Sequence, residues 1–192
     1  QNNDDIVFRN FDICANQINL PNTSGNAISA VHMLATDCNN AYDGPAFEDP
    51  SRYIYSDNCS LEDFLFRGNT VIANKARGML LGSANMGNSD NAIKNLQIDY
   101  NRFETHDTDF SCIDAQVYNG NQYYNARVGE RNRFENLTIS DNVFQSYNAG
   151  PAINIEASAT SSDPDEPSAQ NNWFTNLTIE NNDIQIISSQ GT

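Results

Sequence analysis

The sequence predicts an all-β chain of about four to five stacked coils, built from short strands that pair with their counterparts in the next coil. Three observations carry this expectation. First, one nine-residue pattern (Asn/Asp, apolar, x, apolar, x, x, Asn, x, apolar) occurs five times. The copies are "NFDICANQI" at 10–18, "DFLFRGNTV" at 63–71, "NLQIDYNRF" at 95–103, "NLTISDNVF" at 136–144 and "NLTIENNDI" at 176–184. Second, apolar and polar residues alternate through each copy, which is the period of a strand; no window sustains a helical i, i+3, i+4, i+7 stripe. Third, the fixed Asn of the copies (Asn16, Asn69, Asn101, Asn142 and Asn182) are 53, 32, 41 and 40 residues apart. A constant unit at irregular spacing means equivalent strands separated by loops of different length.

Each copy opens as a strand. Two positions before it stands an apolar side chain: Phe8, Leu61, Ile93, Phe134 or Phe174. Laid on one another, the copies align Leu96, Leu137 and Leu177 in one column, and Ile13, Phe66, Ile98, Ile139 and Ile179 in another. The fixed Asn marks the bend that follows, where amides can bond from coil to coil and where Asn tolerates a left-handed backbone. The next strand aligns Ile18, Val71, Phe103, Phe144 and Ile184. Eleven or twelve residues after the fixed Asn, the first four copies carry a further alternating segment, centred on Ile28, Leu80, Ile113 and Ile153. Stacking satisfies backbone groups between coils and buries every column, which a lone repeat cannot do. The alternative is an antiparallel sandwich. Scarce two-residue hairpin turns and the same order of like segments in every copy count against it.

These five "I-x-x-N-x-F"-like copies resemble the right-handed parallel β-helix of the pectin-lyase-like superfamily. The resemblance covers nearly the whole chain and implies one domain, residues 1–192, folded as a right-handed single-stranded β-helix. It speaks to fold more than to function, because the Asn ladder belongs to the scaffold. Characterised relatives in that superfamily mostly act on polysaccharides, so the resemblance also raises enzyme readings.

Composition narrows the partners. The 192 residues carry 25 acidic and 10 basic side chains, a net charge of −15, and 30 Asn. Such a surface repels nucleic-acid phosphates and anionic membranes, so neither is expected as a partner. No apolar run approaches the length of a membrane span. A start at Gln1 with no signal segment fits either a mature secreted chain or an excised piece, and the expected location is extracellular. Of the four cysteines, Cys38 and Cys59 bracket a Pro-, Gly- and Asp-rich stretch and are the candidate disulfide; Cys14 and Cys112 fall in different coils. Sequons begin at Asn22, Asn58, Asn136 and Asn176, although so Asn-rich a chain generates sequons by chance. Three insertions interrupt the repeats, at 34–58, 118–132 and 157–171.

Chemistry is thinly marked. A lyase needs a base near a uronate and a cation to neutralise its carboxylate. Lys75 and Arg77 in "NKARG", or Arg127, Arg131 and Arg133 with Lys94, are the candidates, set against plain surface charge. "THDTD" offers His106, Asp107 and Asp109 for hydrolysis, but the ordered polygalacturonase-like motifs are missing. His32 is the other histidine, and no metal site of zinc spacing is present. No cofactor is implied; calcium is the single candidate, at Asp43, Glu48 and Asp49 or at Asp163, Asp165 and Glu166, neither with EF-hand spacing. Tyr53, Tyr55, Tyr118, Tyr123, Tyr124 and Tyr147 suit either sugar stacking or cover for the coils.

The chain enters its first repeat copy within ten residues and stops within ten residues of its last, with no capping segment expected at either end. A β-helix without caps is expected either to be a piece of a longer one or to meet another copy of itself head to tail. The leading expectation is therefore a structural subunit that assembles through Phe8, Phe11 and Ile13 against Leu177, Ile179 and Ile184. A polysaccharide lyase, or a fragment of one, is the second reading and a non-catalytic glycan-binding module the third.

Overall fold

The computed structural model describes residues 5–21, 29–35, 57–85, 88–119, 129–157 and 171–188. Every regular element among them is a strand, and every strand pairing is parallel. Strands β1 (Val7–Cys14), β4 (Ser60–Arg67), β7 (Ala92–Asp99), β10 (Arg133–Ser140), β13 (Trp173–Thr175) and β14 (Thr178–Glu180) form the first sheet. A second holds β2 (Gln17–Leu20), β5 (Thr70–Asn74), β8 (Arg102–Thr108), β11 (Val143–Ala149) and β15 (Asp183–Ile187). The third holds β3 (Ser29–Leu34), β6 (Arg77–Asn85), β9 (Ile113–Asn119) and β12 (Ile153–Glu156).

Each strand therefore pairs with the equivalent strand of the next repeat. Successive strands step through the three sheets in turn, so four triplets and a partial fifth lie in series. This all-parallel organisation is compatible with a β-helix and incompatible with an antiparallel sandwich, whose strands pair through hairpins.

Backbone conformation shows why the repeats are so rich in Asn and Asp. The corner between the first and second sheets is two residues long, a left-handed residue followed by the fixed Asn. The left-handed residues are Ala15, Gly68, Tyr100, Asp141 and Asn181, with φ between 54° and 65°. A second left-handed column, Asn10, Asp63, Asn95, Asn136 and Asn176, lies in the middle of the first sheet. It resets the alternation, so Phe8 and Phe11 both belong to apolar columns although three positions apart, and it divides β13 from β14. A third column (Asp5, Asn58, Asp90, Arg131, Asn171) precedes the first sheet, and a fourth (Lys75, Asp107, Asn148) lies at the far end of the second. Asn and Asp occupy most of these places because their short polar side chains lower the cost of the left-handed well. Close approach sets a separate demand at Gly78, where a Cβ would meet the Cys112 carbonyl oxygen at 2.5 Å.

The core fills the space between the sheets. Phe64, Phe66, Ile93, Leu96, Ile98, Phe134, Leu137 and Ile139 enter from the first sheet, Val71, Phe103 and Phe144 from the second, and Met79, Leu81, Ile113, Ala115 and Val117 from the third. Like residues stack between rungs: Phe103 on Phe144 at 5.3 Å and Phe134 on Phe174 at 4.8 Å between ring centroids. The column expectations for the first two sheets match the observed register. In the third sheet the inward row is Val31, Met79, Ile113 and Ile153, not the row through Leu80. Leu80 pairs with His32 and Asp114 instead, one position out of phase. Two adjacent leucines gave the pattern two candidates, and a one-residue slip reverses which side chains face inward. Ile28, Asn22 and Cys38 lie outside the described residues, as do most of the three insertions.

Candidate functional site

The most elaborate polar construction is the Asn ladder at the two-residue corner. The backbone N–H and Nδ2 of Asn69 donate to Oδ1 of Asn101 at 2.8 and 3.1 Å, and those of Asn101 donate to Oδ1 of Asn142 at 2.9 and 3.0 Å. The same pair of bonds joins Asn16 to Asn69 and Asn142 to Asn182. Each later Nδ2 also reaches back to a main-chain carbonyl of the previous triplet: Ile13 from Asn69, Phe66 from Asn101, Ile98 from Asn142 and Ile139 from Asn182. The row is thus polar. Donors of one triplet always meet the acceptor of the next.

A second amide row, which the motif reading missed, runs just before the first sheet. Asn91 receives the Cys59 N–H, Asn132 the Asn91 N–H, and Asn172 the Asn132 N–H, at 2.8, 3.1 and 2.9 Å. Its signal was present as an Asn two positions before Ile93, Phe134 and Phe174. A third row is exposed: Asn95 donates to Asp63, Asn136 to Asn95 and Asn176 to Asn136, at 2.7, 2.7 and 2.8 Å. Two sequon residues, Asn136 and Asn176, are rungs of this row, and the sequon residue Asn58 donates to Asp5. Among the described residues no buried side-chain nitrogen or oxygen lacks a partner.

The cationic candidates fall at separate corners. Lys75 occupies the left-handed turn between β5 and β6, its N–H bonded to the His106 carbonyl at 2.8 Å. Arg77 pairs with Asp114 at 2.7 Å and lies 4.0 Å over the Phe110 ring. Arg131 grips both oxygens of Asp90 at 2.7 Å and also meets Glu130 at 2.8 Å. Arg133 pairs with Glu135 at 2.6 Å. Lys94 is in register with Glu135 but bonds Glu62 at 2.9 Å, and Arg9 reaches the same Glu62 at 2.8 Å. Hydrogen bonding from Lys94 holds the Glu62 carboxyl below its ordinary range, with smaller help from Ser60 and Arg9 against the opposing effect of burial. An Arg already matched by a carboxylate has little charge left to neutralise a uronate. Arg127 lies outside the described residues.

A surface slot of about 150 Å³ crosses the start of the first sheet, between Asp5, Ser60, Glu62, Asp90, Lys94 and Arg133. Ligand sites run from roughly 300 Å³ upward, so this slot is small for a sugar chain. His106 bonds Glu104 at 2.7 Å and stacks on Tyr147, ring centroids 4.6 Å apart and 4° from parallel. Asp107 receives the Asn148 amide at 3.4 Å. Burial pushes the Cys112 thiol up to about 11, against a hydrogen bond with Thr105, while Cys14 is exposed. No disulfide is present among the described residues, and Cys38 of the expected pair is outside them. Both calcium candidates, together with Tyr53, Tyr55, Tyr123 and Tyr124, are outside as well. Among the described residues no group of three or more His, Cys, Asp or Glu side chains is placed to hold a metal, and no helix is long and apolar enough to cross a membrane.

Comparison with protein-family models, with curated proteins and with solved structures finds no match. The parallel sheets are compatible with a β-helix-like fold and identify no superfamily.

Proposed function

We propose that the triplets wind as four to five coils of a right-handed parallel β-helix, and that the protein is a secreted structural subunit stacking end to end on copies of itself into an extracellular filament or surface layer. One observation carries this reading: exposure changes along the apolar columns of the first two sheets. Leu96, Ile98, Phe103, Phe134, Leu137, Ile139 and Phe144 are at most 1% exposed, whereas Phe8, Phe11, Leu177, Ile179 and Ile184 are 40–51% exposed. The exposed residues belong to the same columns and lie on the first or last triplet, where Ile13, Ile18 and Phe174 are partly buried. Apolar columns edged by open strands accept a further rung, and in this reading that rung belongs to a second copy. The two faces differ, so a contact between them does not close on itself and propagates as a filament. The acidic flanks keep neighbouring filaments apart.

Electron microscopy of the 192-residue chain across a concentration series tests the reading. Five rungs at about 4.8 Å give an expected axial repeat of about 24 Å per subunit. Phe11→Asp or Ile179→Asp, which buries a charge at the contact, should leave a folded monomer. A chain that stays monomeric at every concentration would falsify the proposal.

A further inference from the structure

We propose that the slot across the start of the first sheet binds a free α-amino acid with a small side chain. The site lies on the outer face of the sheet and does not depend on end-to-end assembly.

Residue size creates the slot. Ser60 and Ala92 pair in register at its floor, and the next residue of that row is the much longer Arg133. Ala92 is only 1% exposed, so the floor is sunk between longer side chains. Glu62 and Lys94 stand two positions further along the same strands, and Asp90 two positions before Ala92, so charged groups bracket the floor along the strand. Arg133 closes the end on the fourth triplet. Its Nε donates to Glu135 at 2.6 Å, and its Nη1 reaches the Asp90 and Arg131 carbonyls at 3.5 and 3.4 Å.

Volume limits the ligand. The slot holds about 150 Å³. A cavity of that size takes a molecule of about six non-hydrogen atoms, as benzene shows in an apolar one. A sugar chain is far larger.

Charge selects the chemistry. Glu62 and Asp90 face Lys94 and Arg133, two groups of each sign on the second to fourth triplets, and Asp5 adds a carboxylate at the rim. The outer partners cancel as well, Arg131 on Asp90 and Glu135 on Arg133. A bare anion would meet the carboxylates and a bare cation would meet the two bases. A molecule carrying both charges meets each with its opposite. Donors remain for its carboxylate: Lys94 gives one of three N–H groups to Glu62, and Nη2 of Arg133 has no hydrogen-bond partner among the described residues. Acceptors remain for its ammonium: each Asp90 oxygen keeps a lone pair beyond its bond to Arg131, and the Ser60 hydroxyl, which donates to Glu62, can still accept. An α-carbon joining these two groups leaves room for little more than a methyl.

Isothermal titration calorimetry with L-alanine, acetate, methylammonium and L-tryptophan as separate probes tests the site. L-alanine should bind at one site per chain. Acetate and methylammonium each lose one set of charged hydrogen bonds and should bind at least about tenfold more weakly. Ala92→Leu fills the floor, keeps every charge, and should abolish binding. Lys94→Met reads the same site without blocking the floor and should weaken L-alanine about tenfold. Arg102→Met removes an equal charge from the second sheet and should leave the affinity unchanged. Acetate or methylammonium binding as well as L-alanine overturns the two-charge ligand, and L-tryptophan binding as well overturns the size limit. Full affinity in both Ala92→Leu and Lys94→Met overturns the location, and no L-alanine binding by the unsubstituted chain overturns the proposal outright.

Discussion

Asn101 illustrates what a single amide does in this chain. Its Nδ2 serves the Phe66 carbonyl and Asn142, while its Oδ1 accepts two bonds from Asn69. Truncation to Ala strips partners from the Asn69 N–H and the Phe66 carbonyl, both within the buried corner. An unsatisfied buried group costs roughly 1–3 kcal/mol. Asn101→Ala should therefore lower unfolding stability by about 2–4 kcal/mol, read as a drop in urea midpoint with an unchanged slope. Asn101→Asp should not restore it, since a carboxylate keeps the acceptor but cannot donate to Phe66. Ala15 makes the opposite case. It holds φ at 55° with no polar side chain to compensate, at a place where the second triplet has Gly68. The left-handed penalty for a Cβ exceeds the added chain entropy of Gly. Ala15→Gly should raise stability by about 0.5–1 kcal/mol in the same measurement, and a decrease would mean the Ala15 methyl packs against something the corner needs.

At the scale of elements, side chains on adjacent strands of the first sheet are matched by sign. Arg9, Glu62, Lys94 and Glu135 occupy one outward row of β1, β4, β7 and β10. The Glu62 carboxyl titrates below its ordinary value, chiefly because Lys94 bonds it. A lowered folded value means this pair stabilises above the ordinary carboxylate range, near 4.3, and the contribution fades as pH falls through the lowered value. Lys94→Met should cost up to about 1 kcal/mol at pH 7, and the gap from the unsubstituted chain should shrink by pH 3. A gap independent of pH would mean that the lysine stem acts by packing alone.

The same elements show how far the sequence could be read. Strands of the first two sheets were legible because the Asn, set at a fixed distance from its apolar neighbours, locates the corner and with it the phase. The third sheet lacks such an anchor, and "MLL" let the phase slip by one between Met79 and Leu80. The second amide row, Asn91 to Asn172, was hidden because an Asn-rich chain offers many Asn before apolar residues and only the fold selects which ones align. The ion pairs of Arg77 with Asp114 and of Arg131 with Asp90 were likewise illegible, since those partners are set by register or by turn geometry rather than by spacing.

For the whole molecule, charge and assembly are in tension. Each copy carries −15, and a filament would repeat that charge about every 24 Å along its axis. Screening reaches about 30 Å at 10 mM salt and about 8 Å at 150 mM. Stacked copies would therefore repel across their full length at low salt and only near the contact at physiological salt. The proposed contact would rest on apolar columns and neutral amides, which salt does not weaken. If the copies stack as inferred, the concentration at which half of the chain sediments as filament should fall as NaCl rises from 10 to 150 mM. Pelleting assays at fixed pH measure this directly. A concentration that rises with salt would place ion pairs rather than apolar columns at the junction.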